Sequence, residues 1–71
     1  MLTNTQIVEY VEHAFLPRRC VAEVWDYEAK LRFRIFDQSG NTLKSIKNIV
    51  MASIRVEANL KALCESIRLR L

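Results

Sequence analysis

One histidine and two cysteines are the side chains of this sequence whose chemistry could support catalysis. His13 falls late in a predicted amphipathic helix, and Cys20 and Cys64 fall on predicted apolar faces. A catalytic histidine needs a nucleophile and an orienting group, and neither is evident near His13. We interpret His13 as a helix-end residue, where the helix dipole favours a cation, and both cysteines as small buried hydrophobes. The sequence therefore predicts no catalytic residue and a protein that is not an enzyme.

Motifs that hold metals, cofactors or phosphates are not found in the sequence. There is no CxxC pair to join the single histidine in a zinc site, and one glycine cannot build a glycine-rich phosphate loop. We therefore expect no metal and no cofactor. Cys20 leaves one alternative open, because Arg18 and Arg19 would lower the pKa of an exposed thiol and make it a redox sensor. The acids interpreted as turn formers are Asp26, Glu28 and Asp37.

The segment KLRFRIF, residues 30–36, alternates cationic and apolar side chains. Successive side chains of a strand point to opposite faces, so Lys30, Arg32 and Arg34 should share one face. The preceding segment CVAEVWDY, residues 20–27, has the β-branched and aromatic content of a strand and contributes to the same face. This face is the predicted interaction surface. It comprises Val21, Glu23, Trp25, Lys30, Arg32, Arg34 and Phe36.

The sequence leaves two registers open for this hairpin. A four-residue turn, favoured because DYEA contains no glycine, places Glu23 opposite Arg32. It also places Trp25 opposite Lys30. A two-residue turn shifts the pairing, so that Glu23 faces Arg34 and the indole faces Arg32. In both registers an acid faces an arginine and the indole faces a cation, and such pairs contribute roughly 0.2–1 kcal/mol each.

Three interpretations of the cationic face remain open at this stage. It could be a solvated face whose charges pair among themselves. It could bind a second copy of the chain or another protein, because Trp, Arg and Phe are typical of interface cores. It could bind nucleic acid, with Trp25 or Phe36 stacking on bases. The cations assigned to phosphates in that third interpretation are Arg32, Arg34, Lys44 and Lys47.

Helices are predicted at both ends of the chain. Thr3 and Gln6 fit a capping box, and the apolar spacing after them predicts a helix over residues 4–15. Glu9 and Glu12 fall on the side of this helix away from its apolar stripe. Pro17 follows and stops the helix. A broad apolar stripe near the C-terminus predicts one long helix over residues 51–70.

Between the hairpin and the final helix, DQSG over residues 37–40 fits a type I turn. Residues 42–49 could form a third strand. Two amphipathic helices would cover one face of the resulting sheet. The predicted fold class is α+β, with one domain over residues 1–71, two layers, and a small antiparallel meander in the order helix–strand–strand–(strand)–helix.

Charge and hydropathy limit the classes of partner. The chain has 71 residues and a net charge of +3. Residues 1–28 carry five acids against two arginines, whereas residues 29–71 carry nine bases against three acids. This asymmetry suggests an acidic partner for the second part, or head-to-tail self-association. No apolar run approaches a membrane span and no signal peptide is evident, so we expect no membrane and a cytoplasmic protein.

The segment HAFLPRRC, in which Phe15-Leu16-Pro17 precedes a strand that opens at Cys20, resembles a family of short bacterial, pseudomonad-type proteins. The family is catalogued as a domain of unknown function, and its distinctive feature is this FLPxxC segment. The resemblance implies a single small domain, a third strand and a bacterial cytosolic setting, and it transfers no catalytic residue. Two stretches depart from the family pattern: DYEAK stands where an Asp-Gly turn is usual, and NIVMAS where Ser-Pro is usual.

The function predicted from the sequence is a small non-enzymatic protein-interaction or regulatory module. A homodimer is the expected assembly, because a chain of 71 residues buries a small core and gains stability from covering an open sheet face. An unknown protein is the other expected partner. The alternative is a nucleic-acid-binding module that uses the basic and aromatic sheet face.

Overall fold

A computed structural model describes all 71 residues and confirms the α+β fold class. A three-stranded antiparallel sheet has the order β1-β2-β3, and helices cover one of its faces. None of these helices is long and apolar enough to cross a membrane. The elements are α1 Asn4–Ala14, β1 Cys20–Trp25, β2 Lys30–Phe36, β3 Thr42–Val50, α2 Met51–Ile54 and α3 Glu57–Leu69.

Helix α1 begins with the predicted capping box. The Gln6 N–H donates to Thr3 Oγ1 at 3.1 Å, and the Thr3 N–H donates to Gln6 Oε1 at 2.9 Å. These bonds satisfy backbone donors that a helix N-terminus otherwise leaves unpaired. The buried residues Ile7 and Val11 form the stripe that faces the core, and α1 packs against β1. The helix ends before Phe15, two residues ahead of Pro17.

The hairpin of β1 and β2 has the four-residue loop, residues 26–29. Glu23 therefore pairs with Arg32, and the register continues to Trp25 opposite Lys30. Three consecutive residues of the loop have positive φ, Tyr27 among them at 54°. Left-handed backbone costs a residue with a Cβ roughly 1–2 kcal/mol, so a loop without glycine stores strain here.

Strand β3 confirms the predicted third strand. It pairs with β2 in an antiparallel register that places Phe33 opposite Ile46 and Leu31 opposite Ile49. Two residues of β3 then stand opposite Arg32 alone, which is a β-bulge. Asn48 lies in the bulge with φ 62°, a conformation that asparagine tolerates better than most residues. Because of the bulge, Ile46 and Ile49 face the same side of the sheet although they are three positions apart in the sequence.

The predicted single helix over residues 51–70 is wrong, because the chain forms two helices there. Val56 is extended, with φ −91° and ψ 122°, and separates α2 from α3. The Leu2 N–H donates to the Arg55 carbonyl at 2.9 Å, and the Arg55 guanidinium donates to the Leu2 carbonyl at 3.2 Å. Asn59 Nδ2 also donates to the Ser53 carbonyl at 3.0 Å. These bonds satisfy backbone groups that a continuous helix would have paired internally.

The core lies between the sheet and the helices and consists of twelve apolar side chains. Leu31, Phe33 and Ile35 of β2 point into it and are at most 2 % exposed. Leu60 of α3 belongs to the same buried cluster. Because alternate residues of a strand face opposite sides, the cationic residues of β2 lie on the face that the helices leave uncovered. We call this uncovered side of the sheet the open face.

Candidate interaction surface

The open face carries the predicted interaction surface. Six of its seven predicted residues line a shallow groove of about 580 Å³, and Lys30 lies beside it. Strand β3 adds three polar side chains to the groove that the prediction did not include. They are Ser45, Lys47 and Asn48. Whether these three side chains line the groove depends on the register of β3, and the irregular sequence pattern of that strand does not indicate this register.

One end of the open face is organised around Trp25. The Lys30 ammonium lies 5.6 Å from the ring centroid and the Arg32 guanidinium 5.0 Å. Arg32 Nε also donates to Glu23 Oε1 at 3.1 Å, and Lys30 Nζ lies 3.5 Å from Asp26 Oδ2. The predicted pairing of an acid with an arginine and of the indole with a cation is confirmed. Both of these cations already have partners within the chain.

The other end of the open face is organised around Phe36. The Arg19 guanidinium lies 5.5 Å from the centroid of this ring, and the Arg19 carbonyl accepts a hydrogen bond from the Phe36 N–H at 2.8 Å. Arg19 therefore extends the β1–β2 pairing by one position and belongs to the open face. The sequence analysis missed it, although Arg19 shares the alternation of Val21 and Glu23.

Arg34 and Lys47 lie between these two aromatic clusters, and both are exposed. The structure contains two salt bridges, and neither includes these cations. Arg34 stands opposite Ser45, and Lys47 lies two residues further along the same strand. Residues in this diagonal relation have Cα atoms roughly 7–8 Å apart. The groove therefore holds two cations that are available to carboxylates or phosphates of a partner.

Lys44, which the nucleic-acid interpretation placed near phosphates, lies on the other side of the sheet. It is the cross-strand partner of the buried Ile35, and directly paired residues share a face. The prediction for this residue is therefore wrong. Lys44 and Lys47 are three positions apart, so the regular alternation of residues 44–46 places them on opposite faces.

The Trp25 indole has an unusual hydrogen-bonding state. Its Nε1 atom is buried and has no hydrogen-bond partner. Buried donors without partners are rare because each one loses its bond to water. Trp25 itself lines the groove, so this residue belongs to the same surface as the two available cations although its Nε1 atom is buried.

Both edges of the sheet are protected against pairing with another strand. At the β1 edge, the Ala22 N–H donates to Glu12 Oε2 of α1 at 3.0 Å. Glu12 is half-buried, whereas the sequence pattern had placed it on the outer side of the helix. At the β3 edge, two lysines and the bulge at Asn48 also oppose pairing with another strand, since charges and bulges disfavour strand addition.

The two cysteines are free and buried. Burial, followed by the nearby Glu12 and Cys64, raises the pKa of the Cys20 thiol to about 12. Burial also raises the pKa of Cys64 to about 11, although Arg68 acts in the opposite direction. A reactive thiol needs a depressed pKa and exposure, so this geometry opposes the redox-sensor interpretation of Cys20.

His13 is exposed at the end of α1 and lines a groove of about 410 Å³ between α1 and α3. Cys64 and Glu65 line the same groove, yet no hydrogen bond joins these three side chains. The raised pKa of Cys64 is contrary to the activation that a nucleophile requires. No three His, Cys, Asp or Glu side chains cluster closely enough to hold a metal ion.

Comparison with known proteins finds no matching family model, curated protein or solved structure. The resemblance carried by the FLPxxC segment therefore stays a prediction.

Proposed function

We propose that this protein is a small non-enzymatic interaction module that binds a partner through the open face. The observation that carries the proposal is the pair of available cations, Arg34 and Lys47, in a groove between two aromatic clusters. Arginine and tryptophan are typical of the residues that contribute most to binding energy. The groove offers both within one surface.

The rest of the sheet is less suited to binding. Helices cover its other face, and the core fills the space between. Glu12 occupies the Ala22 N–H at one edge, and lysines with a bulge protect the other edge. A partner that approaches the sheet therefore meets the open face first.

The non-enzymatic part of the proposal is supported by the chemistry of the thiols. Raised pKa values keep both cysteines protonated near neutral pH. His13 forms no hydrogen bond with a nucleophile or an orienting group, which general base catalysis would require. An interaction role needs none of these groups.

A second copy of the chain is one form that the partner could take, and a homodimer through the open face would bury Val21, which is 45 % exposed. Two copies of a cationic face repel each other when they meet. Added salt screens this repulsion, so self-association through the open face should strengthen as the salt concentration rises. Sedimentation velocity over a range of protein and salt concentrations measures this directly.

Nucleic acid is the second candidate partner, and the available cations Arg34 and Lys47 favour it. Binding to phosphates releases counterions, so the affinity would fall steeply with salt. The sign and steepness of the salt dependence therefore separate a homodimer from a nucleic-acid complex.

The experiment that tests the proposal compares two charge-reversed proteins as bait in native lysate. Arg34→Glu with Lys47→Glu alters the open face. Lys61→Glu with Arg70→Glu makes the same change in net charge on the exposed surface of α3 and its C-terminal cap. We expect a partner that the wild type and the α3 variant retain and the open-face variant loses, with binding reproduced from purified components. Equal retention by all three proteins would refute the open face as the contact surface.

A further inference from the structure

We infer that the partner of the open face is an acidic protein segment in extended conformation, which places two carboxylates against Arg34 and Lys47. This inference rests on the proposed function and adds the chemistry of the partner. It depends on three properties of the face: the spacing of its available cations, its net charge and the covering of its aromatic rings.

The spacing of the two cations fits alternate residues of an extended chain. Arg34 and Lys47 are diagonal neighbours across β2 and β3, roughly 7–8 Å apart. Side chains at alternate positions of a strand lie on one side, about 6.6 Å apart along the chain. Two acidic residues separated by one residue therefore reach both cations from the same face of the segment. Long lysine and arginine side chains accommodate the remaining difference.

The net charge of the face favours an acidic partner over a second copy. Two acids on this face, Glu23 and Asp26, already pair with Arg32 and Lys30. The other cations of the face are Arg19, Arg34 and Lys47. A copy of the same face would bring no carboxylate for them, because both of its own are in use. An acidic segment supplies the complementary charge.

The aromatic rings favour protein over nucleic acid. Base stacking requires a ring face that a base can reach. Lys30 and Arg32 lie over the Trp25 ring, and Arg19 lies over the Phe36 ring, all within 5.6 Å of the centroids. A base would have to displace Arg32 from its salt bridge with Glu23 as well. A peptide that binds along the groove does not need these rings to be uncovered.

The Trp25 indole is a spectroscopic probe for binding of the segment to the open face. It is the only tryptophan, and its buried Nε1 donor has no partner. Lys30 and Arg32 lie over the Trp25 ring, so a bound acidic segment that draws on these cations changes the surroundings of the indole. We expect the single indole signal in a proton–nitrogen correlation spectrum to move during titration with an acidic peptide.

The test uses three defined probes. The first is a fluorescein-labelled peptide of alternating glutamate and threonine, and the second is the same peptide with glutamine in place of glutamate. The third is a labelled single strand of oligothymidine. We expect the glutamate peptide to bind in fluorescence anisotropy, to shift the Trp25 indole signal, and to bind roughly two- to thirtyfold more tightly than its glutamine counterpart.

Variants locate the binding site of the peptide. Arg34→Glu with Lys47→Glu should weaken the glutamate peptide by about tenfold or more, and the matched Lys61→Glu with Arg70→Glu variant by about twofold or less. Circular dichroism of each variant checks that it is folded. Equal weakening in both variants would overturn the inference, since long-range charge alone would then explain the binding.

The outcomes also separate failure of the inference from failure of the proposed function. If oligothymidine or a second copy binds and Arg34→Glu with Lys47→Glu abolishes that binding, while the glutamate peptide does not bind, the open face functions but its partner is not an acidic segment. If no probe and no second copy binds in a way that this variant alters, both conclusions fail. Binding of the glutamate peptide that only the open-face variant weakens supports both.

Discussion

Alkaline pH is expected to destabilise this protein through its two buried cysteines. In the folded chain the pKa of Cys20 is raised from 9.0 to about 12 and that of Cys64 from 9.0 to about 11, chiefly by burial. The unfolded chain has both thiols near their ordinary value. Above pH 9.0 the unfolded state therefore binds fewer protons than the folded state, and the free energy of unfolding falls as the pH rises.

The magnitude follows from the number of thiols. Each thiol that is ionised only in the unfolded state lowers the free energy of unfolding by about 1.4 kcal/mol per pH unit. Two thiols together give at most about 2.7 kcal/mol per unit between pH 9 and 11. A chain of 71 residues has a total stability of roughly 4–10 kcal/mol. The contribution from the thiols is present in full below pH 9.0 and lost progressively toward pH 12, so alkaline pH removes a large part of the stability of the chain.

Urea denaturation at a series of alkaline pH values measures this slope, with circular dichroism and Trp25 fluorescence as signals. A variant with Cys20→Ala and Cys64→Ala is the control, because tyrosines and lysines titrate in both proteins. We expect a steep slope in the wild type and a shallow one in the variant. Equal slopes in the two proteins would refute the assignment of the pH dependence to the thiols.

The same protonation state governs the reactivity of Cys20. A thiol with a pKa of about 12 instead of 9.0 contains about a thousandfold less thiolate near neutral pH, and the thiolate is the reacting species. Alkylation of the native protein by iodoacetamide should be slower than that of a small-molecule thiol by at least this factor. Rapid labelling of Cys20 without unfolding would restore the redox-sensor interpretation.

Three further predictions concern stability and are measured by urea denaturation. Glu12→Ala removes the acceptor of the Ala22 N–H and should lower the free energy of unfolding by about 1–2 kcal/mol. Glu12→Gln keeps an acceptor oxygen and should lower it by less than half of that. Equal losses in the two variants would contradict a role for this hydrogen bond. Phe33→Ala removes a core ring that is 2 % exposed and should cost about 3–5 kcal/mol, and a cost of about 1 kcal/mol or less would show that the core closes over the gap. Tyr27→Gly relieves a left-handed residue with φ 54° and should stabilise the chain by roughly 0.5–1 kcal/mol. Ala29→Gly in the same loop is the control, because φ is not positive there, and it should destabilise the chain. A less stable Tyr27→Gly variant than Ala29→Gly variant would refute strain at Tyr27.

Local patterns predicted much of the fold. The capping box of Thr3 and Gln6 and the alternation of residues 30–36 depend on neighbours a few positions away, and both are found as predicted. The absence of glycine in DYEA predicted the four-residue loop, which in turn set Glu23 opposite Arg32. These features are short-range, so the sequence contains the information that decides them.

Features that depend on distant parts of the chain were not predictable. The separation of α2 from α3 accompanies hydrogen bonds between Leu2 and Arg55, which are 53 positions apart. The position of Lys44 on the covered side of the sheet follows from its pairing with Ile35, next to a register shift between Ile35 and Phe36 that the sequence pattern does not indicate. Glu12 occupies an edge N–H of β1 because α1 packs beside that strand.

The sequence by itself determined which side chains of β2 are cationic and which are apolar, and therefore that one face of the sheet would be charged. The tertiary structure decided which of those charges are satisfied. Asp26 and Glu23 neutralise Lys30 and Arg32, while the register of β3 brings Lys47 beside Arg34 without an acid. Pairing of this kind depends on distances of a few ångströms across strands, because the energy of an ion pair falls with separation and is screened by water.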